Sequence, residues 1–248
     1  MRQLAAILTM SFVAISSAAD LSELLRQGDA YNAGHRHAAA VEKFLEADAI
    51  DPNNPDILRR IATQYSQQIP DATSKEEKIG LAKSALAFAE RAAELAPDIS
   101  ANRLTLAICY GRVAQHESPG KSMEYSRLIK AECEAALKLD PDNDYAWHVL
   151  GRWNYEMASL NPALRVMAGA IFGELPDASF ERAADCFERA AAVDPQRVIH
   201  QVELGRTYLQ LGRSDEARKH LETGLSLPIK ERDDAESHAL ARKALDSI

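Results

Sequence analysis

Apolar residues recur along this chain in a fixed order of sizes, with polar breaks between the sets and a proline near the close of each. Counting Leu21 as the first place, Gly28, Tyr31, Ala40, Phe44, Ala47 and Pro52 stand at places 8, 11, 20, 24, 27 and 32. Such an order predicts two helices joined by a turn. Its small residues let two helix backbones approach closely, and its large ones fill the space beside them. Asp51-Pro52 then ends the second helix, because proline disfavours helical geometry in the residue before it.

The same order returns down the chain. A second set has Leu58, Ile61, Ala62 and Tyr65, an insertion at 67–73, and Ser74-Lys75-Glu76-Glu77 as a capping box. That box opens a long helix with Ala85, Ala89, Ala92 and Pro97 in register. A third set has Leu106, Ala107 and Tyr110, an insertion with Ser118-Pro119-Gly120, then Ile129, Cys133, Ala136 and Pro141. A fourth has Trp147, Leu150 and Gly151, then Ala183, Phe187, Ala190 and Pro195 after the largest insertion, Ser159 to Ala178. Inside it, Asn161 as N-cap, Pro162 at the first helical position and Gly173 past the end predict an extra helix. A fifth set has Leu204, Gly205, Tyr208, Ala217, Leu221 and Gly224, and the polar segment from Lys230 reads as a terminal capping helix.

The pattern resembles the tetratricopeptide repeat. The resemblance implies an all-α fold, a right-handed superhelical solenoid of about five helix pairs. Its repeats fall at about 21–54, 55–98, 101–142, 144–196 and 198–229, with the cap over 230–248.

The first 19 residues read differently: Arg2, an apolar run from Leu4 to Ile15, and Ser16-Ser17-Ala18-Ala19 before Asp20. This predicts a secretory signal peptide over 1–19, cleaved after Ala19, followed by a repeat domain over 20–248. The expected address is periplasmic or secreted, with a cytoplasmic or mitochondrial one as the alternative. Carboxylates outnumber Lys and Arg by 37 to 29, which argues against nucleic acid as a partner. Cys109, Cys133 and Cys186 show no metal-ligand spacing, and a Cys109–Cys133 disulfide is left open.

From about the second repeat onward the chain also resembles the regulator of microtubule dynamics family. Trp147 to Tyr155, Phe172 to Ser179, Leu225-Ser226-Leu227-Pro228 and Asp233-Asp234 carry the likeness, together with the insertion of the fourth repeat. The resemblance implies association with microtubules and mitochondria. Export would make tubulin unavailable as a partner.

In the tetratricopeptide arrangement the first helices line a concave face, into which places 2, 5, 9 and 12 project. The mapping selects Asn32; Asp56 and Arg59; Leu104 and Ile108; Tyr145, His148, Arg152 and Tyr155; and Val202, Arg206 and Leu209. Arginine forks pair with carboxylate or phosphate. The expected function is therefore a non-enzymatic scaffold. It would bind a protein or peptide segment through Asn32, Arg59, His148, Arg152, Tyr155 and Arg206. Pairing of these arginines with carboxylates of neighbouring repeats is the competing reading. Within the fourth-repeat insertion, Leu164, Met167, Ile171 and Phe172 form an apolar stretch that must bury its surface against the repeats or serve as pocket or lid for a lipid or apolar ligand. Contact with a membrane surface is left open. Asp140, Asp142 and Asp144 fail as a calcium loop because Pro141 interrupts it, and His35-x-His37 lacks a third ligand. No cofactor, metal or catalytic constellation is expected.

Overall fold

The computed structural model describes residues 20–161, 169 and 177–248. The expected signal at 1–19, and the part of the insertion with Leu164, Met167, Ile171 and Phe172, on which the extra helix was expected, lie outside the described residues. The chain is all-α, a helical-repeat solenoid by class, and forms two compact units, one ending at Asp98 and the other running Ile99–Ile248. Unit 1 holds α1 (20–33), α2 (His37–Ile50), α3 (Pro55–Gln68) and α4 (Lys75–Leu95), with a short turn of 3-10 helix at Ile69–Asp71. Unit 2 holds α5 (Ser100–Ala114), α6 (Pro119–Leu139), α7 (Asp144–Ala158) and α8 (Phe180–Val193). It continues with α9 (Val198–Gln210), α10 (Ser214–Ser226) and α11 (Asp234–Leu245).

Local chemistry sets many of these boundaries. Asn54 caps α3, its Oδ1 accepting from Asp56 N at 3.0 Å and Ile57 N at 3.4 Å, with Pro55 as the first helical residue. Ser74 caps α4 by accepting from Glu77 N at 3.0 Å. Glu77 answers by accepting from Thr73 N at 2.9 Å, one residue earlier than a strict capping box requires.

Packing within each unit follows the size order of the sequence. A Cβ placed on Gly28 would lie 2.4 Å from Phe44 Cε1, and one on Gly151 would lie 2.8 Å from Phe187 Cε1. Hydrogen at those two positions lets a buried phenylalanine from the second helix seat directly against the backbone of the first. Phe44 is gathered with Ala40, Ala47, Ile57 and Ile61, and Phe187 with Ala183, Ala184, Leu204, Tyr208 and Ala217. Cys133 occupies the equivalent place in α6 beside Ala107, Ala136 and Leu150. All three cysteines are buried free thiols, so the Cys109–Cys133 bridge is not formed, and burial pushes the Cys186 thiol up to about 12. In unit 2, α7 packs on α8, α8 on α9 and α9 on α10, while α11 covers α9 and α10. Among the described residues, no helix is long and apolar enough to cross a membrane.

Candidate functional site

Spacings of three and four residues put Tyr145, His148, Arg152 and Tyr155 on one side of α7. Spacings of three put His200, Glu203 and Arg206 on successive turns of α9, behind Arg197 at its N-cap, and the two rows meet. At one end of the meeting sits Glu203, only 1% exposed. It accepts from Arg152 Nη1 at 2.9 Å, and Arg206 Nη1 reaches both its oxygens at 2.9 Å. Arg152 also donates to Glu156 Oε1 at 3.0 Å. Burial works against the Arg152 charge, but Glu203 and Glu156 outweigh it and raise its pKa. The Arg206 guanidinium lies 5.7 Å from the centre of the Tyr155 ring, which meets Phe180 edge-on at 5.3 Å.

Beneath this face runs a buried chain of polar rings. His200 Nε2 is 2.9 Å from Asp144 Oδ2, and His200 Nδ1 is 3.1 Å from His148 Nδ1. Burial pushes the Asp144 carboxyl up, but the His200 hydrogen bond and the Arg197 charge outweigh it and hold it below its ordinary value. An ionised Asp144 only accepts, so His200 Nε2–H donates to it. In a neutral ring this leaves His200 Nδ1 to accept from His148 Nδ1–H. Burial, His200 and the Arg152 and Arg197 charges together depress the His148 pKa well below the ordinary histidine value. Tyr145 stacks on His148 at 5.3 Å, with the Arg197 guanidinium 5.3 Å from the tyrosine ring centre.

Unit 1 carries a shorter network. Gln64 Nε2 donates to Asn32 Oδ1 at 2.9 Å, while Gln64 Oε1 lies 2.8 Å from His37 Nδ1. Arg59 forms an ion pair with Asp56, one turn away on α3, and Arg60 pairs with both Asp56 and Asp29.

Residues 24–248 match the protein family described as Regulator of microtubule dynamics protein 1-3. The chain belongs to the regulator of microtubule dynamics family. It is 31% identical to regulator of microtubule dynamics protein 1 of Pongo abelii, covering 86% of this chain and 74% of that one. Against protein 2 of Mus musculus the identity is 26%, over 84% of this chain and 49% of the relative. The chain spans about half the length of the rodent relatives of types 2 and 3 that it matches. Among solved structures, a thermophilic TPR protein of Thermus thermophilus superposes with a TM-score of 0.66 at 20% identity, covering 91% of this chain and 98% of that one. MamA of Desulfovibrio magneticus RS-1 superposes with a TM-score of 0.52 at 13% identity, covering 84% and 94%. These likenesses are to the fold.

Within this family member, His148, Arg152, Tyr155 and Arg206 gather in unit 2, and Asn32 and Arg59 belong to unit 1. Each of the three arginines has a carboxylate partner, but of these pairs only Arg152 with Glu203 joins neighbouring repeats, as the competing reading had it; Arg59 and Arg206 pair within their own helices. His148 lies under the surface at 3% exposed. Val202 does not join Arg206: it is fully buried, and a Cβ on Gly224 would lie 2.8 Å from its Cγ2. The α9 row is therefore shifted from places 2, 5, 9 and 12 to His200, Glu203 and Arg206. Glu203, His200, Asp144 and Arg197 were missing from the mapping. Opposite charges at the start and middle of two successive first helices, Asp144 against Arg197 and Arg152 against Glu203, were the available signal. Among the described residues, no group of three or more His, Cys, Asp or Glu side chains could hold a metal ion.

Proposed function

We propose that this regulator of microtubule dynamics family member is a non-enzymatic scaffold whose α7–α9 face holds a protein or peptide segment bearing acidic groups. The observation that carries the reading is the seating of two guanidiniums on one buried carboxylate. Glu203 holds Arg152 and Arg206 in place, while the Arg152 side chain stays 42% exposed and its other partner, Glu156, is 63% exposed. An incoming carboxylate can replace Glu156 on a fork already oriented, which lowers the ordering cost of binding. Tyr155 and Phe180 add an aromatic floor beside it. The test is retention of acidic, basic and neutral peptide pools on immobilised protein. Acidic peptides should be retained by the wild type and released by Arg206→Ala; equal retention of all pools contradicts the reading.

The family's name favours a second reading, association with microtubules. The N-terminal segment decides between them, since an exported chain does not meet tubulin. Export is proposed on the pattern of residues 1–19. Fractionation of cells together with sequencing of the mature N-terminus tests it: a start at Asp20 supports export, and an intact N-terminus in the cytosol contradicts it.

A further inference from the structure

The α7–α9 face carries the same pair of side chains at each of its ends. At one end the Arg206 guanidinium lies 5.7 Å from the Tyr155 ring centre, and at the other the Arg197 guanidinium lies 5.3 Å from that of Tyr145. Carboxylates of the repeats hold both arginines. Glu203 holds Arg206, while Asp144 Oδ2 at 3.2 Å and Asp194 Oδ2 at 3.3 Å hold Arg197 Nε. Anchored in this way, a planar guanidinium keeps part of its fork ready for a further acceptor. The two seats differ in what covers them.

The chain itself covers the Arg197 seat. The connection between α10 and α11, residues 227–233, brings Glu231 Oε1 to 3.9 Å from Arg197 Nη2. Its carboxylates also reach Tyr145: burial pushes the phenol pKa up and Asp233 and Glu231 push the same way, against Arg112 and Arg197. Both ends of this strap are fastened. Leu227 packs against the core of Val198, Val202 and Leu221. Asp234, 2% exposed, accepts from Lys230 N at 2.8 Å and Glu231 N at 2.7 Å. The middle is held lightly, with Pro228, Ile229, Lys230 and Glu231 all exposed. An exposed ion pair such as Glu231 with Arg197 is worth little, so an outside carboxylate can take its place. At the other seat, among the described residues, Arg206 forms an ion pair only with Glu203.

We infer, on the reading of this face as a groove for acidic segments, that Glu231 is a tethered stand-in for a partner's acidic side chain. The strap keeps the Arg197 seat closed until a segment that reaches both seats displaces it. Arg197 and Arg206 are nine residues apart, which is about 13.5 Å at the rise of a helix. An extended chain covers that distance in about four residues, and side chains four apart then point the same way. The partner that fits is an extended polypeptide with two acidic side chains at that spacing.

Fluorescence anisotropy on the full-length protein tests this with three capped, otherwise uncharged peptides. One carries a single glutamate, one carries two adjacent glutamates, and one carries two glutamates four residues apart. Glu231→Gln should bind the four-apart peptide about threefold more tightly than the wild type does, the worth of one exposed ion pair. It should leave the single-glutamate and adjacent-glutamate peptides at wild-type affinity. In the wild type, saturation with the four-apart peptide should move the Lys230 and Glu231 amide resonances, and the single-glutamate peptide should not. An equal gain for the adjacent pair, no gain for any peptide, or unmoved amides would overturn the strap, while binding of the single-glutamate peptide still upholds the groove. No binding of any peptide by either protein overturns both.

Discussion

In unit 2 the chain from Asp144 through His200 to His148 has a partner at both Nδ1 atoms and at His200 Nε2, whereas in unit 1 the chain from Asn32 through Gln64 to His37 stops at an unpartnered nitrogen. The surrounding helices are built alike, with Gly28 against Phe44 in one unit and Gly151 against Phe187 in the other. Repeat packing therefore does not decide how the polar side chains behave. Where α7 and α9 bring complementary charges together, the network closes and fixes the two helices. Where α2 begins without a cap, one buried ring nitrogen is left unpaired.

The largest effect is expected from replacing both Arg152 and Arg206 with alanine. Glu203, buried at 1% exposed, would lose both guanidiniums, a change that costs about 3–5 kcal/mol when a buried charge is stranded. Hydrogen exchange should show the loss in α7 and α9 and leave α3 at wild-type protection. Equal loss in α3 would mean that the closed network is not local to unit 2. Next come Gly28→Ala and Gly151→Ala, each expected to cost about 1–3 kcal/mol because a buried ring must move aside. Denaturant midpoints read both, and a neutral outcome at either position breaks the claim that the two units share one packing rule.

The pH dependence should distinguish the units further. The folded-state pKa of His148 lies below its ordinary value, so the unfolded chain takes up the proton first. Unit 2 should keep full stability above about pH 6.5, the ordinary histidine value, and lose it as pH falls below that toward the depressed one. Urea unfolding of wild type against His148→Gln checks this, and an unchanged pH slope in the variant argues against it. The smallest effect belongs to Glu156→Gln. Its carboxylate is 63% exposed and its pairing with Arg152 is screened by water, so the change should fall below about 1 kcal/mol.

The helical-repeat class was legible in the chain because small and large apolar residues must alternate at fixed places for two helices to touch, and Gly28 with Phe44 or Gly151 with Phe187 does so directly. Cys133 was legible as a core residue for the same reason. The polar networks were not. Glu203 and Arg152 lie far apart in sequence, and only the packing of α7 against α9 shows that one guanidinium serves two carboxylates. The mapping of concave places selected Val202, yet the α9 face that meets α7 is shifted to His200, Glu203 and Arg206, leaving Val202 against Leu221 in the core. His37 read as half of a weak metal motif. Its contact is with Gln64, a residue on another helix that sets which ring nitrogen carries the proton.

Direct titration of the His148 ring by NMR puts the central contrast to the test. If α7 and α9 are joined through a buried, uncharged His148, that ring stays neutral well below pH 6.5, the ordinary histidine value, for as long as unit 2 remains folded. A midpoint at the ordinary value, with the fold intact, would show that the His148 ring is open to water and that the two units do not differ in the way described.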